Sequence, residues 1–175
     1  MPGKNHTSIK TIFIRFIPAL LWALLIFFFS HQAAATSDTQ SGFFLQLVAP
    51  LAPYLDEDLL ITVIRKSAHF FLYFILGALM FWALHPAVRS QKRGVLISVL
   101  IVAGYAALDE FHQSFIPGRS AEVRDVLIDT VGGLAGILTL LTLSLIWQKH
   151  NHHTIIKRTL NRTATSRVRK NTFSP

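Results

Sequence analysis

The chain has 175 residues, of which 51% are hydrophobic and only 15% charged. A mean hydropathy of +0.45 suits a small bundle of membrane-spanning helices better than one soluble domain. Cysteine is absent, which excludes disulfides and thiolate metal sites. The net charge of +8 does not point to nucleic acid, because the basic residues are segregated along the chain rather than gathered on one surface.

The first apolar stretch runs from Ile12 to Ser30, interrupted by Arg15 and Pro18. A basic leader and Ala33-Ala34-Ala35 give it some likeness to a cleaved signal peptide. Its apolar core is long for one, so it reads as a retained span. Beyond a polar stretch, Phe43, Phe44, Leu47, Val48 and Leu51 fall on one helical face. They predict a short helix on the membrane surface, ended by Pro50 and Pro53. Asp56 is placed to cap a helix that passes Arg65 and Lys66 and enters the second apolar stretch, Ser67 to Leu84. The third begins at Gly94, and its pattern extends through Asp109 and Glu110 toward Ile116; the fourth runs from Val126 to Trp147.

Each stretch is near the roughly 20 residues an α-helix needs to cross about 30 Å of hydrocarbon. Backbone groups cannot be satisfied by lipid, so these spans are expected to be helices. Trp82 and Trp147 sit where interfacial anchors belong. The expected fold is an all-α polytopic membrane bundle of four or five transmembrane helices. Residues 1–11 form a short cytoplasmic N-terminus, and 12–147 the transmembrane domain, with spans at about 12–30, 67–84, 94–114 and 126–147. Residues 148–175 form a basic cytoplasmic tail, expected to be disordered or to lie against anionic head groups. His150, His152 and His153 read as solvated tail residues rather than metal ligands.

With the N-terminus inside, 13 of the 17 Lys and Arg are cytoplasmic, and only Arg65, Lys66, Arg119 and Arg124 lie outside. That is the positive-inside pattern, and it places both termini in the cytoplasm. All nine acids fall in the outer half.

Lys66, His69 and Tyr73 are spaced i, i+3, i+7 and share one face of the second helix. The third helix offers Asp109, Glu110 and Gln113, the acids about 10 Å below its end at 1.5 Å rise per residue, with Arg119 in the following turn. The fourth presents Asp125 and Asp129, one turn apart. Ionisable groups at membrane depth cost several kcal/mol apiece unless they face a polar cavity or one another, which marks them as functional candidates. The plainer alternative is a set of ion pairs holding the bundle together: Asp109 or Glu110 with Arg119, and Asp125 or Asp129 with Lys66. A metal site of His69 with Asp109, Glu110 and Asp129 would suit zinc or manganese. No ligand-spacing motif accompanies the single histidine, so neither metal nor cofactor is expected. Gly132 and Gly136 form a GxxxG with Gly133 alongside, a signal of close helix packing; Gly77 and Gly104 are expected to serve the same end. No glycine-rich phosphate loop occurs.

The segment KSAHFFLYFILG (66–77), with ALDEFHQSFIPGRS (107–120) and DVLIDTVGGLAG (125–136), resembles the VanZ-like family of small bacterial membrane proteins. The likeness covers roughly residues 10 to 147. One departure is Thr130 before the glycines, where an Asn is expected nearby. The resemblance implies four or five spanning helices in the bacterial cytoplasmic membrane, and a link to resistance to the glycopeptide teicoplanin through the family's named member.

Three functions remain open. In the first, an outer-leaflet pocket of Lys66, His69, Tyr73, Asp109, Glu110, Gln113, Arg119, Asp125 and Asp129 binds or remodels a cell-envelope or lipid-linked ligand, an envelope precursor or a glycopeptide among them. Lys66 and Arg119 would pair with its phosphate or carboxylate. In the second, the chain is an intramembrane hydrolase or transferase, with His69 as base or nucleophile and Asp109 or Glu110 as its orienting acid. The third is a proton-coupled transporter. Membrane lipids are the expected partners and nucleic acid is not.

Overall fold

A computed structural model describes residues 9–31, 46, 56–88, 90–117, 119 and 121–172. Among these the main elements are four α-helices, with no strand: α1 (Ile9–Ser30), α2 (Glu57–Leu84), α3 (Gln91–Gln113) and α4 (Val123–Thr172). Each contains a segment long and apolar enough to cross a membrane: Lys10–Ser30, Glu57–Leu84, Gln91–Gln113 and Val123–Asn151. The surface helix expected around residues 43–51 lies outside the described residues.

Side chains are distributed in the reverse of a soluble protein. Phe13 is 70% exposed and Phe71 63%, whereas Asp109, Glu110, Gln113 and Asp129 are each 5% exposed or less. Apolar surface of this extent would be unfavourable against water but is neutral against lipid tails. The chain is a multi-pass membrane protein.

Asp56 caps α2 as its position suggests. Its backbone is extended (φ −61°, ψ 139°) and its carboxylate accepts from the Leu59 amide at 3.3 Å. Glu57 and Asp58 in the first turn complement the helix dipole. The helix therefore begins well before the apolar run and carries Lys66 and His69 within its regular structure. α3 stops at Gln113; bonds from the Ile116 amide to the Gln113 carbonyl (2.9 Å) and from the Arg119 amide to the Ile116 carbonyl (3.1 Å) then turn the chain.

Cross-helix bonds fix the topology. The Trp22 indole donates to the Leu72 carbonyl at 2.8 Å, and Arg15, near the start of α1, donates to the Trp82 carbonyl near the end of α2. The Arg15 guanidinium also lies 4.8 Å from the Trp82 ring centroid. At the other end of the bundle, Ser30 closing α1 meets Gln113 closing α3. The helices thus alternate in direction. Against α2, α4 packs backbone to backbone: a Cβ added at Gly132 or Gly136 would strike the backbone of Phe70 or Phe74, and one added at Gly77 would strike that of Gly133. The GxxxG is therefore a packing seam within the chain. Gly104 differs from expectation, since it faces open space with nothing within 4 Å.

Tyr73, Leu76, Val102, Ala106 and Ile26 form the buried apolar core, flanked by Trp22, Ala23, Leu72, Tyr105 and Val126. The Tyr73 ring belongs to this core while its hydroxyl belongs to the polar cluster above it.

By contacts the chain divides into two compact units, Met1–Thr139 and Leu140–Pro175. The second is helical through Thr172, in place of the irregular tail expected. The reason lies in the sequence: no Gly or Pro occurs between Gly136 and Pro175, so nothing ends the helix at Trp147.

Candidate functional site

At the end of the bundle where α2 and α4 begin and α3 closes, polar side chains from all these elements converge. Lys66 pairs with Asp125, and its Nζ lies 3.4 Å from Glu122 Oε2. Glu122 is held below the ordinary glutamate range by the Lys66 ammonium and by a bond from Arg124 at 3.2 Å. One turn along α2, His69 Nδ1 stands 3.5 Å from Asp129 Oδ2, the acid being only 1% exposed. One turn further, the Tyr73 hydroxyl donates to Asp109 Oδ2 at 3.3 Å. The i, i+3, i+7 face of α2 therefore meets α4, α4 and α3 in succession.

From α3, Gln113 donates to Ser30 Oγ at 2.7 Å and more weakly to Asp109 Oδ2 at 3.4 Å. Arg119 in turn donates to Gln113 Oε1 at 3.1 Å. Glu110 accepts the Glu122 amide at 2.8 Å and so fastens the end of α3 to the start of α4. Nearby, His31 Nδ1 and His112 Nε2 lie 3.0 Å apart with their rings stacked, tying the end of α1 to α3.

These groups enclose a cavity of about 80 Å³ lined by Lys66, His69, Glu110, Gln113, Arg119, Asp125 and Asp129, with Arg65, Glu122 and Ile128. Tyr73 and Asp109 lie behind its lining residues. The nine residues singled out from sequence are thus brought together at one end of the bundle, in two tiers. The pairings differ from those expected in two respects: the acid facing His69 is Asp129 on α4, while Asp109 bonds Tyr73 and Gln113, and Glu110 accepts the Glu122 backbone amide.

Ser30, Arg65 and Glu122 are the residues that sequence reasoning missed. Glu122 falls three positions before Asp125 and immediately before α4, a spacing that puts it beside Asp125 at a helix start. Nothing in the sequence signals Ser30, whose role depends on which helix α1 packs against.

A second, apolar hollow of about 300 Å³ runs along the outer surface of α2 and α4, lined by Thr62, Val63, Ser67, Phe70 and Phe71. It shares Lys66 and Ile128 with the polar cavity.

No curated protein and no solved structure matches the chain. The sequence pattern of the VanZ/LLP1 family matches residues 15–147, well over half of its length. The chain belongs to the VanZ/LLP1 family.

Proposed function

We propose that the protein binds or remodels a membrane lipid at the outer leaflet, with the head group in the polar cavity and a hydrocarbon chain in the adjoining hollow. The observation carrying this reading is that the two spaces adjoin, with Lys66 and Ile128 in the walls of both. A polar cavity that opens beside an apolar groove on a membrane-spanning surface matches an amphiphile in both halves. The outer-leaflet assignment rests on the distribution of basic residues.

The cavity's chemistry narrows the head group. Its size admits only the polar tip. Arg65, Lys66 and Arg119 line it together with four carboxylates. A simple anion would meet as much repulsion as attraction, so the head group carries a phosphate or carboxylate for Lys66 and Arg119 together with ammonium or hydroxyl groups for the acids. Gln113, held by Arg119, orients it by hydrogen bonding. A contribution to teicoplanin resistance would follow where that lipid is an envelope precursor.

The test is native mass spectrometry of protein released from nanodiscs of defined phospholipids, beside lipid extracted with the protein from its host. Retention of one lipid per chain, reduced at least tenfold by Arg119→Ala and by Phe70→Glu, supports the reading. Equal retention of all lipids by the wild type and both variants contradicts it.

The His69–Asp129 pair favours a second reading, an intramembrane hydrolase or transferase. An imidazole facing a carboxylate at the wall of a substrate cavity is equipped to act as a general base. Loss of turnover on labelled envelope lipids in His69→Ala, with lipid retention intact, would establish it; failure to detect turnover by the wild type leaves binding alone.

A further inference from the structure

Beneath the cavity, His69, Asp109 and Asp129 each offer one ligand atom, all within 4.8 Å of one another. We infer that these three side chains bind a divalent cation of the zinc or manganese kind, contributed by α2, α3 and α4 respectively. This deepens the lipid reading of the same site but does not depend on it.

The hydrogen bonding of the two acids points to this ligand. Tyr73 and Gln113 both donate to Oδ2 of Asp109, and Oδ1 of the same carboxylate is buried with no hydrogen-bond partner. Neither carboxylate oxygen of Asp129 accepts a hydrogen bond, although the residue is 1% exposed. The His69 nitrogen at 3.5 Å is within ion-pair reach but beyond a good N–H···O length. Two acids with unmet oxygens, buried inside a membrane-spanning bundle, are costly unless something positive lies between them.

A divalent ion resolves both deficits. Two carboxylates and a neutral imidazole balance a charge of about +2, and a site of one nitrogen and two oxygens suits zinc or manganese. Ligand bonds near 2.1 Å at a tetrahedral angle place neighbouring ligand atoms about 3.4 Å apart. His69 Nδ1 and Asp129 Oδ2 already stand 3.5 Å apart, and atoms as far apart as 4.8 Å close by up to about 1.4 Å when the ion binds. Tyr73 and Gln113 would then be the outer partners that orient Asp109 toward the ion. Because His69 and Asp129 also line the cavity, any remaining coordination position opens toward a head-group phosphate.

The experiment is elemental analysis of chelator-free protein, followed by equilibrium dialysis of chelator-stripped protein against zinc and, separately, manganese. One ion per chain is expected, with affinity falling at least tenfold in Asp129→Asn and in His69→Gln. Glu57→Gln, an exposed acid in the first turn of α2 and away from the cavity, should leave it unchanged. A misfolded variant also loses metal, so the wild type carries the test as well: stripped protein loaded with cobalt(II) should show the visible absorption of a nitrogen–oxygen site, and zinc should abolish it. Absence of stoichiometric metal, or an equal loss in Glu57→Gln, overturns the assignment. Lipid retention is measured separately, so the two proposals fail independently.

Discussion

Nδ1 of His69 stands 3.5 Å from Oδ2 of Asp129, joining α2 to α4 inside the membrane-spanning bundle. Removing one partner of such a buried pair strands the other, at roughly 3–5 kcal/mol, whereas replacing both with apolar groups is far less harmful. In chelator-containing buffer, His69→Leu is therefore predicted to lower the thermal midpoint more than His69→Leu/Asp129→Leu does. A double variant weaker than the single would show that the pair is not the source of the loss.

The glycine seam between α2 and α4 leads to a contrast within one molecule. A methyl group at Gly136 meets the Phe74 backbone, which cannot rotate aside, and one at Gly104 meets nothing within 4 Å. Gly136→Ala is predicted to destabilise by roughly 1–3 kcal/mol, and Gly104→Ala to be neutral or stabilising by up to about 1 kcal/mol. Denaturation in mixed detergent micelles measures both.

Acid should loosen the start of α4. The Lys66 ammonium holds Glu122 below its ordinary range, so this pair contributes stability above the unfolded glutamate value of about 4.3. That contribution disappears as pH falls through the lower folded value. Glu122→Gln is predicted to be less stable than wild type near neutrality, with the difference shrinking on acidification below about pH 4. Thermal melts across that range provide the check. A difference that grows as pH falls would reverse the sign of the argument.

The absence of cysteine gives a clean background for topology. Ala121→Cys is predicted to react with an impermeant thiol reagent added to intact cells, and Gln91→Cys only after lysis. Both positions are exposed. The opposite pattern would place the site on the cytoplasmic side.

Much of this arrangement is legible in the sequence, for physical reasons. Four spans stand out because lipid leaves a helix no alternative, and Asp56 declares the start of α2 because an N-cap is a local device. The depth of His69, Asp109 and Asp129 follows from helical rise alone. What the sequence does not reveal is rotation. Asp109 and Glu110 are neighbours on α3, yet one turns to Tyr73 and Gln113 and the other to the Glu122 amide. That choice depends on how the glycines of α4 seat against α2. Ser30 is hidden for the same reason, since its partner is fixed by packing between α1 and α3. The helical extension beyond Trp147 is written in the lack of Gly and Pro, whereas polarity and weak periodicity point to an irregular tail because they register only the absence of a packing face.

The central claim is tested most directly by a phospholipid carrying a photoactivatable acyl chain, crosslinked in nanodiscs and mapped by mass spectrometry. Labelling concentrated on Val63, Phe70 and Phe71, and competed away by unlabelled lipid with the same head group, is the predicted result. Labelling spread evenly over the lipid-facing surfaces of α1 and α3, indifferent to the competitor, would contradict it.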